Sequence, residues 1–127
     1  MHEVSIARTI LSEVVASAAV NDVARIGSIT LRIGRLSGVV EEALRFGFEM
    51  VSVGSPAEGA ELIFENEPVV VWCPDGQHRV ELEGVRFFCD THHVACSELL
   101  SGRQLELVSY SIAGDQAAVE SARVGER

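Results

Sequence analysis

The sequence predicts an α+β fold in which two helices pack on a three-stranded sheet and a small inserted subdomain interrupts the second half of the chain. Three observations lead there. Two apolar stripes recur at helical spacing in the first half, strand-like alternation separates and follows them, and all three cysteines fall between residues 73 and 96. A chain of 127 residues supports one domain with room for a small insert, and 47% hydrophobic against 23% charged residues is a globular balance rather than a disordered one.

Ala7, Ile10, Leu11, Val14, Val15 and Ala18 lie on one face of a helix over about residues 4 to 20. Asn21 and Asp22 then end it, because their short polar side chains compete for backbone hydrogen bonds. From Ser28 to Gly34, Ile29, Leu31 and Ile33 alternate with Thr30 and Arg32, the pattern of a half-buried strand. A second helical stripe follows in Val40, Ala43, Leu44, Gly47, Phe48 and Val51, with Glu41 and Glu42 at the positive end of its dipole. The GSPAEGA stretch is loop chemistry. ELIFENEPVVVW then supplies two strand-like runs broken at Pro68, which cannot donate a ladder hydrogen bond. Leu105 and Leu107 mark a closing strand over about 104 to 112, and the small, polar tail from Gly114 predicts a flexible end. The expected organisation is a main domain of residues 1–72 plus 97–113, an insert of 73–96 and a tail of 114–127.

Nineteen acidic residues against ten basic ones give a net charge of −9, and all ten bases are arginine. With no basic run to neutralise phosphates, nucleic acid is excluded as a partner, and without lysine so are Schiff-base and Walker-type chemistry. No run approaches about 18 consecutive apolar residues, so no membrane span is expected. The opening MHEVSIART lacks a basic leader, which places the chain in the cytoplasm by expectation.

The insert carries Cys73, Cys89 and Cys96 with His78, His92 and His93 and only short apolar runs. An odd, clustered set of thiols in a segment too poor in apolar residues to fold by burial points to a zinc-binding subdomain rather than to disulfides. A cysteine and a second donor three positions on form a knuckle that turns both side chains toward one ion. Cys89 with His92, and His93 with Cys96, have that spacing. The N-terminus is a second metal candidate: the Met1 amine, the His2 imidazole and backbone amides together favour square-planar Ni(II) or Cu(II). A Cys/His nucleophile pair is disfavoured, since so short an insert offers neither an orienting group nor a pocket.

The opening MHEVSIARTIL, the stretch ITLRIGRLSGV with the helix EEALRFGFEMV after it, the GSPAEGAEL step and VVVWC resemble the HypA/HybF family of hydrogenase maturation nickel metallochaperones, from Met1 to about Ile112. The resemblance implies a non-enzymatic α/β domain that binds nickel and carries an inserted zinc domain. It implies delivery of Ni(II), with a GTP-hydrolysing nickel-insertion accessory protein, to the large subunit of [NiFe]-hydrogenase and in some organisms to urease. A second copy of the chain is a further candidate partner. The family's nickel site falls on the Met1 amine, His2 and the backbone amide of Glu3. Its zinc site uses two C-x2-C pairs. Cys73 and Cys89 match their first members, His92 stands where the second pair ends, and Gly76 stands where the first pair ends. Glycine has no donor, so the expected shell is Cys73, Cys89, His92 and Cys96, with His93 or His78 as alternatives for the fourth place. The competing expectation is a protein–protein adaptor that kept the fold while its zinc site decayed and that delivers no metal.

Overall fold

The computed structural model describes residues 2–83, 86–114 and 118–120. Its elements run α1 (Glu3–Val20), β1 (Ile26–Gly34), α2 (Glu41–Val51), β2 (Glu61–Glu67), β3 (Val69–Cys73), β4 (His78–Leu82), β5 (Phe88–Cys89), β6 (Val94–Ala95), β7 (Glu98–Ser101), β8 (Leu105–Ile112) and β9 (Ala118–Glu120). The class is α+β as expected. Among the described residues no helix is long and apolar enough to cross a membrane.

The main sheet has the order β2-β1-β8-β9 and is four-stranded, which corrects the expected three. The extra strand comes from the tail, where Ala118–Glu120 returns antiparallel along β8; the remaining tail residues, 115–117 and 121–127, lie outside the described residues. β1 and β2 are parallel, so the chain must cross over between them, and α2 is that crossover. One cluster joins the layers: Ala7, Ile10 and Val14 of α1 and Leu44 and Phe48 of α2 bury against Ile29, Leu31 and Ile33 of β1 and Leu105 and Leu107 of β8. On the opposite face of β1, Arg32 stands between Glu65 and Glu67 of β2 and Glu106 of β8, at 3.4, 2.9 and 3.5 Å.

Pro68 separates β2 from β3, and the two strands belong to different sheets. The second sheet, β4-β3-β7, and the β5-β6 hairpin surround a separate cluster of Val69, Val71, Cys73, Cys89 and Cys96. This unit draws on strands either side of the insert expected at 73–96, because β3 pairs with β4 along one edge and with β7 along the other.

The two units meet where β1 ends. Gly34 N–H donates to the Gln104 carbonyl at 2.8 Å and Leu36 N–H to the Gly102 carbonyl at 2.6 Å. A Cβ at Gly34 would overlap the backbone carbonyl of Gly102. Backbone on both sides cannot yield as a side chain can, so Gly34→Ala should destabilise the protein by about 3 kcal/mol, the upper part of the range for overpacking. Urea denaturation monitored by circular dichroism checks this; an unshifted midpoint would show that the junction relaxes freely.

Candidate metal centres

The sequence singles out two places for metal, and the first lies at one end of β3. Val69 and Val71 point into the second cluster, and by the same alternation so does Cys73, which is fully buried. The chain then turns through Pro74, Asp75 and Gly76 into β4, pairing Cys73 directly with His78 across the hairpin. Opposite partners in an antiparallel pair carry their side chains to the same face. Cys89 ends β5, and the turn after it brings His92 back.

Cys73, His78, Cys89 and His92 each offer one donor atom, and all four atoms lie within 4.8 Å of one another. His92 Nδ1 is 3.3 Å from His78 Nε2, 3.4 Å from Cys89 Sγ and 3.6 Å from Cys73 Sγ. Cys89 Sγ is 3.7 Å from His78 Nε2. Hydrogen bonding alone does not account for this convergence, because a ring nitrogen has one proton or one lone pair and cannot serve three neighbours. A tetrahedral zinc ion does. With Zn–S of about 2.3 Å and Zn–N of about 2.0 Å, its edges are about 3.3 Å between nitrogens and about 3.5 Å between nitrogen and sulfur. The donor set therefore fits zinc in type, number and spacing. Gly76 N–H also points at Cys73 Sγ, 3.3 Å away, the kind of outer bond that stabilises a thiolate ligand. The sulfurs are on the buried side of the group; His92 is exposed and His78 half-buried.

The structure brings together three of the four expected zinc residues, Cys73, Cys89 and His92. The fourth member of the group is His78, one of the two alternatives to Cys96 for that place. The hairpin register explains the difference. Cys96 N–H bonds to the Phe87 carbonyl at 2.9 Å, so Cys96 sits two residues along the strand from Cys89. It lies in the buried cluster at 2% exposure, where burial first, and then the neighbouring Cys73 and Cys89, push its thiol pKa up. A thiol buried in this way packs as a small apolar group. His93 is outside the group too; it turns the chain in a left-handed conformation at φ 55°. The sequence signal for His78 was the hairpin itself: a turn between Cys73 and His78 makes them cross-strand partners, and only the β4 register reveals it.

The second place is the chain start. Met1 lies outside the described residues. His2 occupies the cap position of α1, and its exposed imidazole makes no capping bond. The Glu3 carboxylate accepts a hydrogen bond from Val40 N–H at 3.2 Å, at the start of α2, and this bond holds the Glu3 carboxyl below its ordinary pKa. The bond ties the chain start to the second helix, so Glu3→Ala should raise hydrogen exchange at the Val40 amide while the rest of α2 keeps its protection. Unaltered exchange at Val40 would show that water replaces the carboxylate without loss.

Comparison with known proteins decides the family. The sequence model described as "Hydrogenase/urease nickel incorporation, metallochaperone, hypA" matches residues 1–112. The chain belongs to the HypA family. This HypA-family chain is 47% identical over 110 residues to the hydrogenase maturation factor HypA of Chloroflexus aurantiacus, covering 86% of this chain and 96% of that one. It is 40% identical over 116 residues to that of Roseiflexus sp., covering 91% and 94%. A structure described as "Solution structure of HypA protein" shares the fold at 21% identity with a TM-score of 0.68, covering 91% of this chain and 98% of that one. The Helicobacter pylori protein described as "Ni metallochaperone HypA" does so at 19% identity with a TM-score of 0.62, covering 91% and 100%. HypA proteins are nickel metallochaperones and maturation factors, not enzymes.

Proposed function

We propose that this HypA-family chain takes up Ni(II) at its N-terminus and passes it on for the maturation of [NiFe]-hydrogenase, with urease as a second possible client. The observation that carries the reading is the state of His2: an exposed imidazole with no structural task, at the entrance to α1. The adjoining backbone favours nickel as well. Glu3 is the first helical residue, and first-turn N–H groups have no acceptor within the helix. Ni(II) can displace that amide proton without breaking a helical hydrogen bond. The Met1 amine, His2 imidazole and Glu3 amide then supply nitrogen donors in the arrangement that suits a square plane.

Such a site also releases its cargo. Few buried contacts separate its bound and free states, and every donor competes with protons, so falling pH weakens binding. Zinc in the Cys/His group is structural in this reading, holding the second unit in shape. The partners are a GTP-hydrolysing nickel-insertion protein and the hydrogenase large subunit, with a second copy of the chain as a further candidate and the cytoplasm as the setting. Nickel titration of the purified chain tests the proposal: about one Ni(II) per chain with a square-planar absorption spectrum is expected. An adaptor that delivers no metal would bind none specifically, and that result overturns the reading.

A further inference from the structure

We infer that His78 completes a Cys2His2 zinc centre by occupying the volume that a side chain at position 76 would otherwise take, so that Gly76 is the condition for His78 to ligate. The inference rests on the reading of the Cys/His group as a zinc site. It begins with a likeness between two turns. After Cys73, Gln77 N–H returns to the Cys73 carbonyl at 2.9 Å; after Cys89, His93 N–H returns to the Cys89 carbonyl at 2.7 Å. Gln77 and His93 are both left-handed, at φ 56° and 55°. The two knuckles therefore share one backbone path, and positions 76 and 92 are equivalent within it.

In the second knuckle that position donates, through His92. In the first it is glycine, and a Cβ built on Gly76 runs into the imidazoles of both His78 and His92. The collision shows that the His92 and His78 rings together fill the space to which the first knuckle would deliver its own donor. His78 can reach it because it stands directly across the hairpin from Cys73. Its Nε2 then completes nitrogen–nitrogen and nitrogen–sulfur spacings of 3.3 and 3.7 Å. A side chain at 76 cannot coexist with both rings in these positions, and His78, which reaches in from across the hairpin, is the one that gives way. Two thiolates and two neutral imidazoles also balance the double charge of zinc, whereas four thiolates would leave the centre at about −2.

Zinc analysis with X-ray absorption at the zinc edge tests this on the full-length chain and four variants. The native protein should hold one zinc with two sulfur and two nitrogen donors, and Cys96→Ser should leave both counts unchanged. His78→Ala should exchange one nitrogen for a solvent oxygen and weaken zinc against a chelator by at least tenfold. Gly76→Cys should give three sulfurs and one nitrogen, with His78 expelled. Gly76→Ala, which adds bulk and no donor, should weaken zinc as His78→Ala does. Three sulfurs in the native chain, falling to two in Cys96→Ser, would overturn the inference and leave the zinc reading standing. So would an unchanged nitrogen count in His78→Ala, or a Gly76→Cys protein that keeps two nitrogens. A native chain that holds no zinc would overturn the zinc reading itself. If His78→Ala fails to fold, the Cys96→Ser and Gly76→Cys arms still decide the ligand.

Discussion

His2→Ala should abolish specific nickel binding while leaving the fold intact. The imidazole is the one side-chain donor of the proposed site, and its removal leaves an amine and amides that cannot fix the ion alone. Loss of a direct ligand should cost more than the roughly 10–100-fold that accompanies loss of an outer-shell partner. The fold should not notice, because His2 is exposed and caps nothing, and surface changes of that kind stay within about 0.5 kcal/mol. Calorimetric nickel titration read beside a thermal melt separates the two effects. Unchanged nickel affinity in the variant would remove the N-terminus from consideration. A variant that loses nickel and also melts early would instead point to an unrecognised structural role for His2.

Removal of zinc should unfold the second unit and spare the first. Among the described residues the cluster around β3 contains only two fully buried aliphatic residues, Val69 and Val71; its other buried members are the three cysteines. So small a core cannot offset the entropy of ordering β4, β5, β6 and β7, whereas a structural zinc site supplies on the order of 10 kcal/mol of apparent binding free energy. Chelation, or Cys73→Ser, should therefore abolish amide protection in β3, β4 and β7. The amides of β1 and β8, inside the larger cluster, should keep theirs. Hydrogen exchange by NMR reads both regions in one experiment. Equal protection with and without zinc would mean that the valine and cysteine cluster suffices. Loss across the whole chain would mean that the Gly34–Gly102 junction makes the two units one cooperative system.

The main architecture was legible from periodicity. The α1 stripe buries Ala7, Ile10, Val14 and Ala18 and half-buries Leu11 and Val15, and the alternation in β1 and the closing strand β8 bury the residues their spacing indicates, because one helix face and one sheet face must be covered and the apolar residues record which. The α2 stripe was legible only in part. Leu44, Gly47 and Phe48 are buried, but Val40 and Ala43 are exposed, since the helix meets α1 and the sheet over its later turns. The short strands β4 to β7 carried no usable signal: two to five residues are too few to show a period, and their pairing depends on partners distant in sequence.

The metal centre divides along the same line. Composition and clustering alone determined that cysteine and histidine between residues 73 and 96 act together, and that the chain start is rich in nitrogen donors. Spacing along the chain favoured Cys96 as the fourth zinc residue, because a donor one short loop beyond His92 lies near in sequence. The fold instead groups His78 with the other three donors, because a hairpin makes residues 73 and 78 face each other and a hairpin register sets Cys96 two residues past Cys89. Residue types thus determined what donor chemistry this protein can offer. The selection of donors was left to the packing of two turns around one point, where Gly76 has no Cβ to keep the His78 ring away.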